Sequence, residues 1–381
     1  MKCSTSQKCD APDSQFTDRN ANRAATRLSP ARIIGPLTPS QGSFPTSGGD
    51  VSTTAAIEIQ GVTKRFRDKV AVDSLDLSVP TGSVCGFLGP NGAGKTTTIR
   101  MVMSIFYPDA GRISVLGRQS ATESKDRIGY LPEERGVYRK MKVGEFLSYI
   151  GTVKGVPKSD LSKRIDAWLE RVQLPGVRKK RCAELSKGMQ QKVQFLAAII
   201  HDPELVILDE PFSGLDPVNA RLLRNLIEEM HRDGKTIIFS THVLHSAEQL
   251  CDRIFMINNG RKILDGPVGD IRHQFDPKTI AIRPMRANGS VATDTSRIER
   301  VSGVAHVWTP NPDTIEARLH EGAEPAAVMA EILRATPVRG VELRQATLED
   351  IFVQLVDPGD SEDSVRSTLS DLGAGGSNGD S

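Results

Sequence analysis

The 381-residue chain has no hydrophobic run approaching the roughly 20 residues needed to span a bilayer. Val193 to Ile200 is among the longest, and Gln194 interrupts it, so the chain is not expected to cross a membrane by itself. The first residues, Met1-Lys2-Cys3-Ser4-Thr5-Ser6, lack the apolar centre of a secretory signal, which points to a cytoplasmic location. An excess of charge of one sign is also missing. With 49 Lys+Arg against 47 Asp+Glu the net charge is +2, so no global field marks a dedicated nucleic-acid or membrane-surface binder. The five cysteines, Cys3, Cys9, Cys85, Cys182 and Cys251, are odd in number and scattered, with no CxxC pair for zinc or redox work. They fit a reducing compartment. No internal repeat is visible.

A chain of this length with 38% hydrophobic residues can bury a sizeable core, and its length suggests two or three domains. Residues 1–54 are rich in Ser, Thr, Pro, Gly and Asn and read as disordered. Order should begin with the alternating Ala56-Ile57-Glu58-Ile59 and continue in Ser74-Leu75-Asp76-Leu77-Ser78-Val79, two strands joined by a basic hairpin. A helical insertion is expected over about 134–200, with apolar side chains at helical spacing: Phe146, Leu147 and Ile150, then Ile165, Trp168, Leu169 and Val172. Leu205 to Asp209 and Thr236 to Ser240 are short apolar runs of the kind that form buried parallel strands. Their alternation with helices gives an α/β core over 55–270. A small α/β domain is expected over 276–356, its last helix capped by Thr347, and residues 357–381 read as a disordered tail.

The chemistry centres on Gly89-Pro90-Asn91-Gly92-Ala93-Gly94-Lys95-Thr96, which follows the apolar Val84 to Leu88 and precedes a helix-like Thr97 to Ile105. That order fits a phosphate-binding loop. Glycines let the backbone curl so that N–H groups face phosphate oxygens, and the helix adds its positive N-terminus. Lys95 would neutralise phosphate charge, the Thr96 hydroxyl would reach Mg²⁺, and Thr97 would lie near the α-phosphate. Leu205-Val206-Ile207-Leu208-Asp209-Glu210 places two carboxylates at a strand end, Asp209 for Mg²⁺ and Glu210 to polarise the attacking water. Ser240-Thr241-His242 ends the next strand, from which His242 would reach the γ-phosphate and Glu210.

Leu185-Ser186-Lys187-Gly188-Met189 and Ser213-Gly214-Leu215-Asp216, flanking the acidic strand, resemble the signature motif and D-loop of ATP-binding-cassette (ABC) ATPases. The resemblance covers about residues 56 to 270 and implies a P-loop NTPase fold of the ABC type, with an antiparallel β subdomain and a helical subdomain, followed here by the small C-terminal domain. It implies a head-to-tail dimer, with a second copy of this chain or a homologous ATPase, in which ATP is held between the phosphate loop of one subunit and Ser186, Gly188 and Asp216 or their equivalents in the other. Phe66 stands where the family stacks an aromatic ring on adenine. Glu133 stands where the family commonly has glutamine near Mg²⁺. Lys187 and Met189 also depart from the usual signature, leaving Ser186 and Gly188 as the phosphate-facing positions. Leu131 to Gly136 and Thr347 to Phe352 look like the sodium- and drug-export branch. The resemblance therefore implies an ATPase peripheral to the cytoplasmic face of the membrane, partnered by an integral membrane permease subunit and not by nucleic acid. Soluble cassette ATPases of DNA repair or translation, and a regulator that binds nucleotide without hydrolysis, are the alternative classes that share these motifs.

Overall fold

The computed structural model describes residues 55–356 except 135, 288, 289 and 292. The expected disorder of 1–54 and 357–381 lies outside the described residues. Strands β1 (Ala55–Phe66) and β2 (Lys69–Pro80) form an antiparallel hairpin. Both run longer than their apolar alternation suggests, because pairing continues past several bulges into Lys64-Arg65-Phe66, where the side chains face outward. The buried strand β3 (Val84–Leu88) leads through the glycine-rich loop into helix α1 (Lys95–Val102), and β4 (Ala110–Val115) returns to pair with β1.

Strand β5 (Ile128–Leu131) is followed by three helices, α2 (Val143–Val153), α3 (Lys158–Arg171) and α4 (Lys187–Ile199). Next come β6 (Leu205–Asp209), α5 (Pro217–Arg232), β7 (Thr236–Thr241), α6 (Leu244–Leu250), β8 (Arg253–Asn258), β9 (Arg261–Pro267) and α7 (Val268–Gln274). The central sheet has the order β5-β6-β7-β3-β8-β9, parallel except for β9. Alternate residues of its strands feed two cores. Phe87, Ile207 and Phe255 pack with α1 and the β2-β1-β4 sheet, while Leu88, Leu208 and Phe239 pack with α4, α5 and α6. Each such fully buried side chain contributes about 1.5–3 kcal/mol, which makes this sheet the rigid floor of whatever its strand ends carry.

Beyond α7, the chain forms β10 (Thr279–Pro284), a hairpin of β11 (Arg286–Ala287) and β12 (Ser290–Val291), α8 (Thr295–Glu299), β13 (Val304–Asn311), β14 (Thr314–Leu319), α9 (Pro325–Ala335), β15 (Val338–Leu343) and α10 (Leu348–Val356). The order β13-β14-β10-β15, all antiparallel, with α8 and α9 contributing to its core, is a βαββαβ unit. The Thr347 cap is present: Asp350 N–H donates to Thr347 Oγ1 at 3.1 Å and Thr347 N–H to Asp350 Oδ2 at 3.0 Å. Helix α10 leaves this unit and buries Leu348 and Ile351 in the core of the central sheet. Its Leu348 N–H donates to Glu248 Oε1 on α6 at 2.6 Å. No helix among the described residues is long and apolar enough to cross a membrane.

Candidate nucleotide site

Parallel pairing brings the C-terminal ends of β3, β6 and β7 side by side, with Leu88 opposite Thr241 and Asp209 opposite Ser240. That edge gathers the glycine loop, the acidic pair and His242. Two glycines are dictated by close approach: a Cβ on Gly89 would sit 2.2 Å from Ile257 O, and one on Gly94, at φ +110°, would sit 2.6 Å from Ala71 O. Gly94 is the N-cap of α1 and supplies no side chain to its first N–H groups, which leaves them available to an anion. Lys95 is buried, its Nζ donating to Gly89 O at 2.7 Å and Pro90 O at 3.2 Å. Burial pushes its amine below the usual range, against the pull of the Glu210, Asp209 and Glu133 carboxylates.

Glu210 is held by β7. Its Oε1 accepts from the His242 backbone N–H at 2.9 Å and lies 2.7 Å from His242 Nδ1, while Oε2 accepts from Thr241 Oγ1 at 3.2 Å. A carboxylate only accepts, so Nδ1 carries the proton, and this hydrogen bond raises the imidazole above its ordinary pKa despite partial burial. Asp209 accepts from Ser240 Oγ, and burial pushes its carboxyl up, opposed by hydrogen bonds from Ser240 and Thr96. Its other oxygen, Oδ2, is buried with no hydrogen-bond partner. An unpaired hard oxygen in a cavity that Thr96 also lines fits a Mg²⁺ ion that takes its remaining ligands from phosphate and water. Glu133 lies exposed at the rim, where partial desolvation and then the Asp209 and Glu210 charges raise its carboxyl.

Of the expected residues, Phe66, Asn91, Gly92, Gly94, Lys95, Thr96, Thr97, Glu133, Asp209 and Glu210 line one cavity of about 470 Å³. Gly89, Pro90 and Ala93 belong to the same loop, and His242 stands behind Glu210. Lys69 and Ala71 also line the cavity and were missed from sequence. Lys69 pairs with Phe66 across the β1–β2 turn, a neighbourhood readable only once the full strand lengths are known. Phe66 is 42% exposed, so it is not a core side chain, and it meets Phe106 edge-to-face at 5.6 Å. A larger cavity of about 590 Å³, between β1, β4 and the segment after α1, holds none of the expected residues.

Ser186, Gly188 and Asp216 do not line this chain's own cavity. Ser186 is the N-cap of α4, its Oγ accepting from Met189 N–H at 3.3 Å. Asp216 caps α5, accepting from Val218 N–H and Asn219 N–H, each at 3.0 Å. Those hydrogen bonds, Asn219's first, hold its carboxyl below the usual range. Val193, Leu196, Ala197 and Ile200, at helical spacing along α4, are buried, and so is every residue from Gln191 to Ile199. Beyond its half-exposed first turn, the helix is enclosed all round, not on one face.

A glycine cradle between a strand and a helix, beside an acidic strand end backed by a histidine, defines a nucleoside-triphosphate-hydrolysing enzyme of the phosphate-loop class. Residues 72–213 match the ABC transporter family, and residues 266–356 match the C-terminal domain of DrrA1-3-like ATP-binding proteins. The chain is 38% identical over 300 residues to an uncharacterized ABC transporter ATP-binding protein, YhaQ, of Bacillus subtilis, covering 79% of this chain and 98% of that one. It is 34% identical over 322 residues to the Nod factor export ATP-binding protein I of Mesorhizobium japonicum, covering 83% and 91%. A solved ATP binding subunit of an ABC transporter superposes with TM-score 0.55 at 30% identity, over 58% of this chain and 93% of that one. The chain belongs to the ABC transporter ATP-binding proteins, and it is an ATPase.

Proposed function

We propose that two copies of this chain close head to tail on ATP and Mg²⁺ and drive export through a separate integral membrane permease. Lys95 and the N–H groups of the Gly89–Gly94 loop bind the β- and γ-phosphates, Thr97 lies toward the α-phosphate, and Phe66 stacks on the adenine. Thr96, Asp209 and Glu133 would hold Mg²⁺, which supplies neutralisation of phosphate charge. Glu210 takes a proton from the attacking water through Oε2, which accepts one bond from Thr241 and keeps a lone pair, whereas Oε1 already accepts from both His242 N–H groups. From behind Glu210, His242 would also reach the γ-phosphate once the dimer closes. Ser186, Gly188 and Asp216 of the other copy close the site, the N-terminus of α4 supplying N–H groups to the γ-phosphate.

The observation that carries this reading is Glu210, braced on both oxygens by β7 across the cavity from the buried Lys95. Export is supported by the likeness to Nod factor export ATP-binding proteins; sodium or a drug is the cargo class suggested by the sequence. A membrane partner has a surface to meet near α2. Tyr138 is 53% exposed and Tyr149 49% exposed, and their rings lie 6.0 Å apart edge-to-face. Association with the cytoplasmic face of the membrane would run through that partner. The test is light scattering of Glu210→Gln protein with ATP and Mg²⁺, where a stable dimer is expected. Adding Ser186→Arg should abolish the dimer while leaving nucleotide binding intact. A monomer in the first experiment refutes the arrangement, and failure to recover a membrane protein by detergent co-purification of the full chain refutes the permease.

A further inference from the structure

Gln194 is 4% exposed on α4, surrounded by the fully buried Val193, Phe195 and Leu196. An amide in that setting is costly unless its polar atoms are paired. Here the pairing is specific: Nε2 donates to Pro132 O at 3.1 Å and to Glu134 O at 2.9 Å, and Oε1 accepts from Gly136 N–H at 3.2 Å. Glu133 therefore sits between two residues whose carbonyls are gripped by one side chain. On its other side the same loop is tied to α1, where Arg100 pairs with the Glu134 carboxylate. The loop cannot follow both helices if α4 shifts against α1. One turn earlier on α4, Gln191 Nε2 donates to Pro211 O at 3.1 Å, next to Glu210.

We infer that Gln194 is a positioning residue that couples the two nucleotide sites of the dimer. The inference rests on the head-to-tail arrangement proposed above. The N-terminus of α4, at Ser186 and Gly188, would read the nucleotide held by the other copy. Gln194 lies about 9 Å further along the same rigid helix, at 1.5 Å per residue, and places Glu133 in this copy's own cavity. Occupancy of one site thus reaches a carboxylate in the other through one helix and three hydrogen bonds, a two-state element that both sites bias.

Two substitutions separate this from simple loop packing. Gln194→Met keeps length and volume and removes all three bonds; Gln194→Asn keeps the amide but withdraws its reach, and carries the same comparison should the first protein not fold. Either variant is expected to bind a fluorescent ATP analogue as the wild type does, yet to turn over about tenfold more slowly, the usual cost of losing a group that orients a metal-facing residue. In a Glu133→Ala background, where there is no metal-facing group left to position, the same substitution should add no further loss. Independently of turnover, amide exchange over residues 129–137 in magnesium-free Glu210→Gln protein should change on adding ATP, and that response should vanish with Gln194→Met. Additive losses from the two substitutions, a Glu133→Ala protein at the wild-type rate, or an unaltered exchange response would overturn the inference. A Glu210→Gln protein that hydrolyses ATP normally strikes at the proposed function instead.

Discussion

Replacing Glu210 by Gln changes one atom and leaves its supports nearly intact. The amide oxygen can still accept from the His242 N–H groups now 2.9 and 2.7 Å from Oε1. The new NH₂ faces Thr241 Oγ1, at 3.2 Å from Oε2 in the wild type, and the hydroxyl can accept where it formerly donated. Reversing that one bond costs about 1 kcal/mol at most. Loss of one charge from a cavity already holding Asp209 and Glu133 offsets part of that. A melting shift of no more than about 5 °C is therefore expected, read by calorimetry. Catalysis is a different matter. An amide cannot take a proton from water, and removal of a positioned general base costs about 10²–10⁴-fold in rate, or about 2.7–5.5 kcal/mol of barrier. Phosphate release in single- and multiple-turnover assays measures this directly, with nucleotide affinity followed in parallel. Turnover within about threefold of wild type, in a protein that is folded and binds ATP, would refute the assignment of Glu210 as the base.

Phe66→Ala should weaken nucleotide affinity by about 1–3 kcal/mol, the range for base–aromatic stacking, with no change in melting temperature because the ring is 42% exposed; Phe66→Trp should restore it, both read by fluorescence titration. Gly89→Ala forces a Cβ to within 2.2 Å of Ile257 O and should cost upwards of about 2 kcal/mol in urea unfolding as well as ATP binding. His201 is buried, with Nε2 3.1 Å from Ile128 O, and burial lowers its pKa to about 4. Since the unfolded chain takes up this proton near pH 6.5, stability is fully present above that pH and falls between about 6.5 and 4 by an amount on the order of 3 kcal/mol. The loss should be absent from the stability curve of a His201→Gln protein, followed by urea midpoints across that range.

What the sequence made legible was local. The phosphate loop, the acidic strand and the Thr347 cap are contiguous strings whose residue types carry their own geometry. The β8–β9 hairpin went unread although Asn259-Gly260 is a strong turn signal, and both residues do take positive φ, +48° and +78°. Strand β13 was missed because its pattern is broken by bulges and its residues are only partly buried. Gln194 was read as an interruption in an apolar run, since nothing in the string says that a loop some sixty positions earlier supplies its partners, with Pro132 and Glu134 lying 62 and 60 residues away. The return of α10 onto the central sheet was hidden for the same reason: Leu348 and Glu248 are 100 residues apart.

The acidic pair shows most plainly what a string of letters withholds. Successive side chains of an extended strand point to opposite faces, so Asp209 and Glu210, read as a strand end, should diverge. They line the same cavity because Glu210 leaves the strand at φ +48°, a left-handed conformation that a non-glycine residue adopts at a cost of about 1–3 kcal/mol. The surroundings hold it there: Glu210 N–H donates to Ser240 O at 3.1 Å, and its carboxylate is bound by Thr241 and His242. Three consecutive residues of β7 and its exit thus fix backbone and side chain together. It follows that Glu210→Gly, which relaxes the backbone requirement while deleting the carboxylate, should lose hydrolysis at least as fully as Glu210→Gln. Because glycine takes that φ without strain, its stability should fall less than loss of the side-chain hydrogen bonds alone would dictate. A Glu210→Ala protein, which deletes the same bonds but keeps the strain, is the comparison. If urea unfolding found alanine as stable as glycine there, the left-handed turn would not be what draws the two carboxylates together.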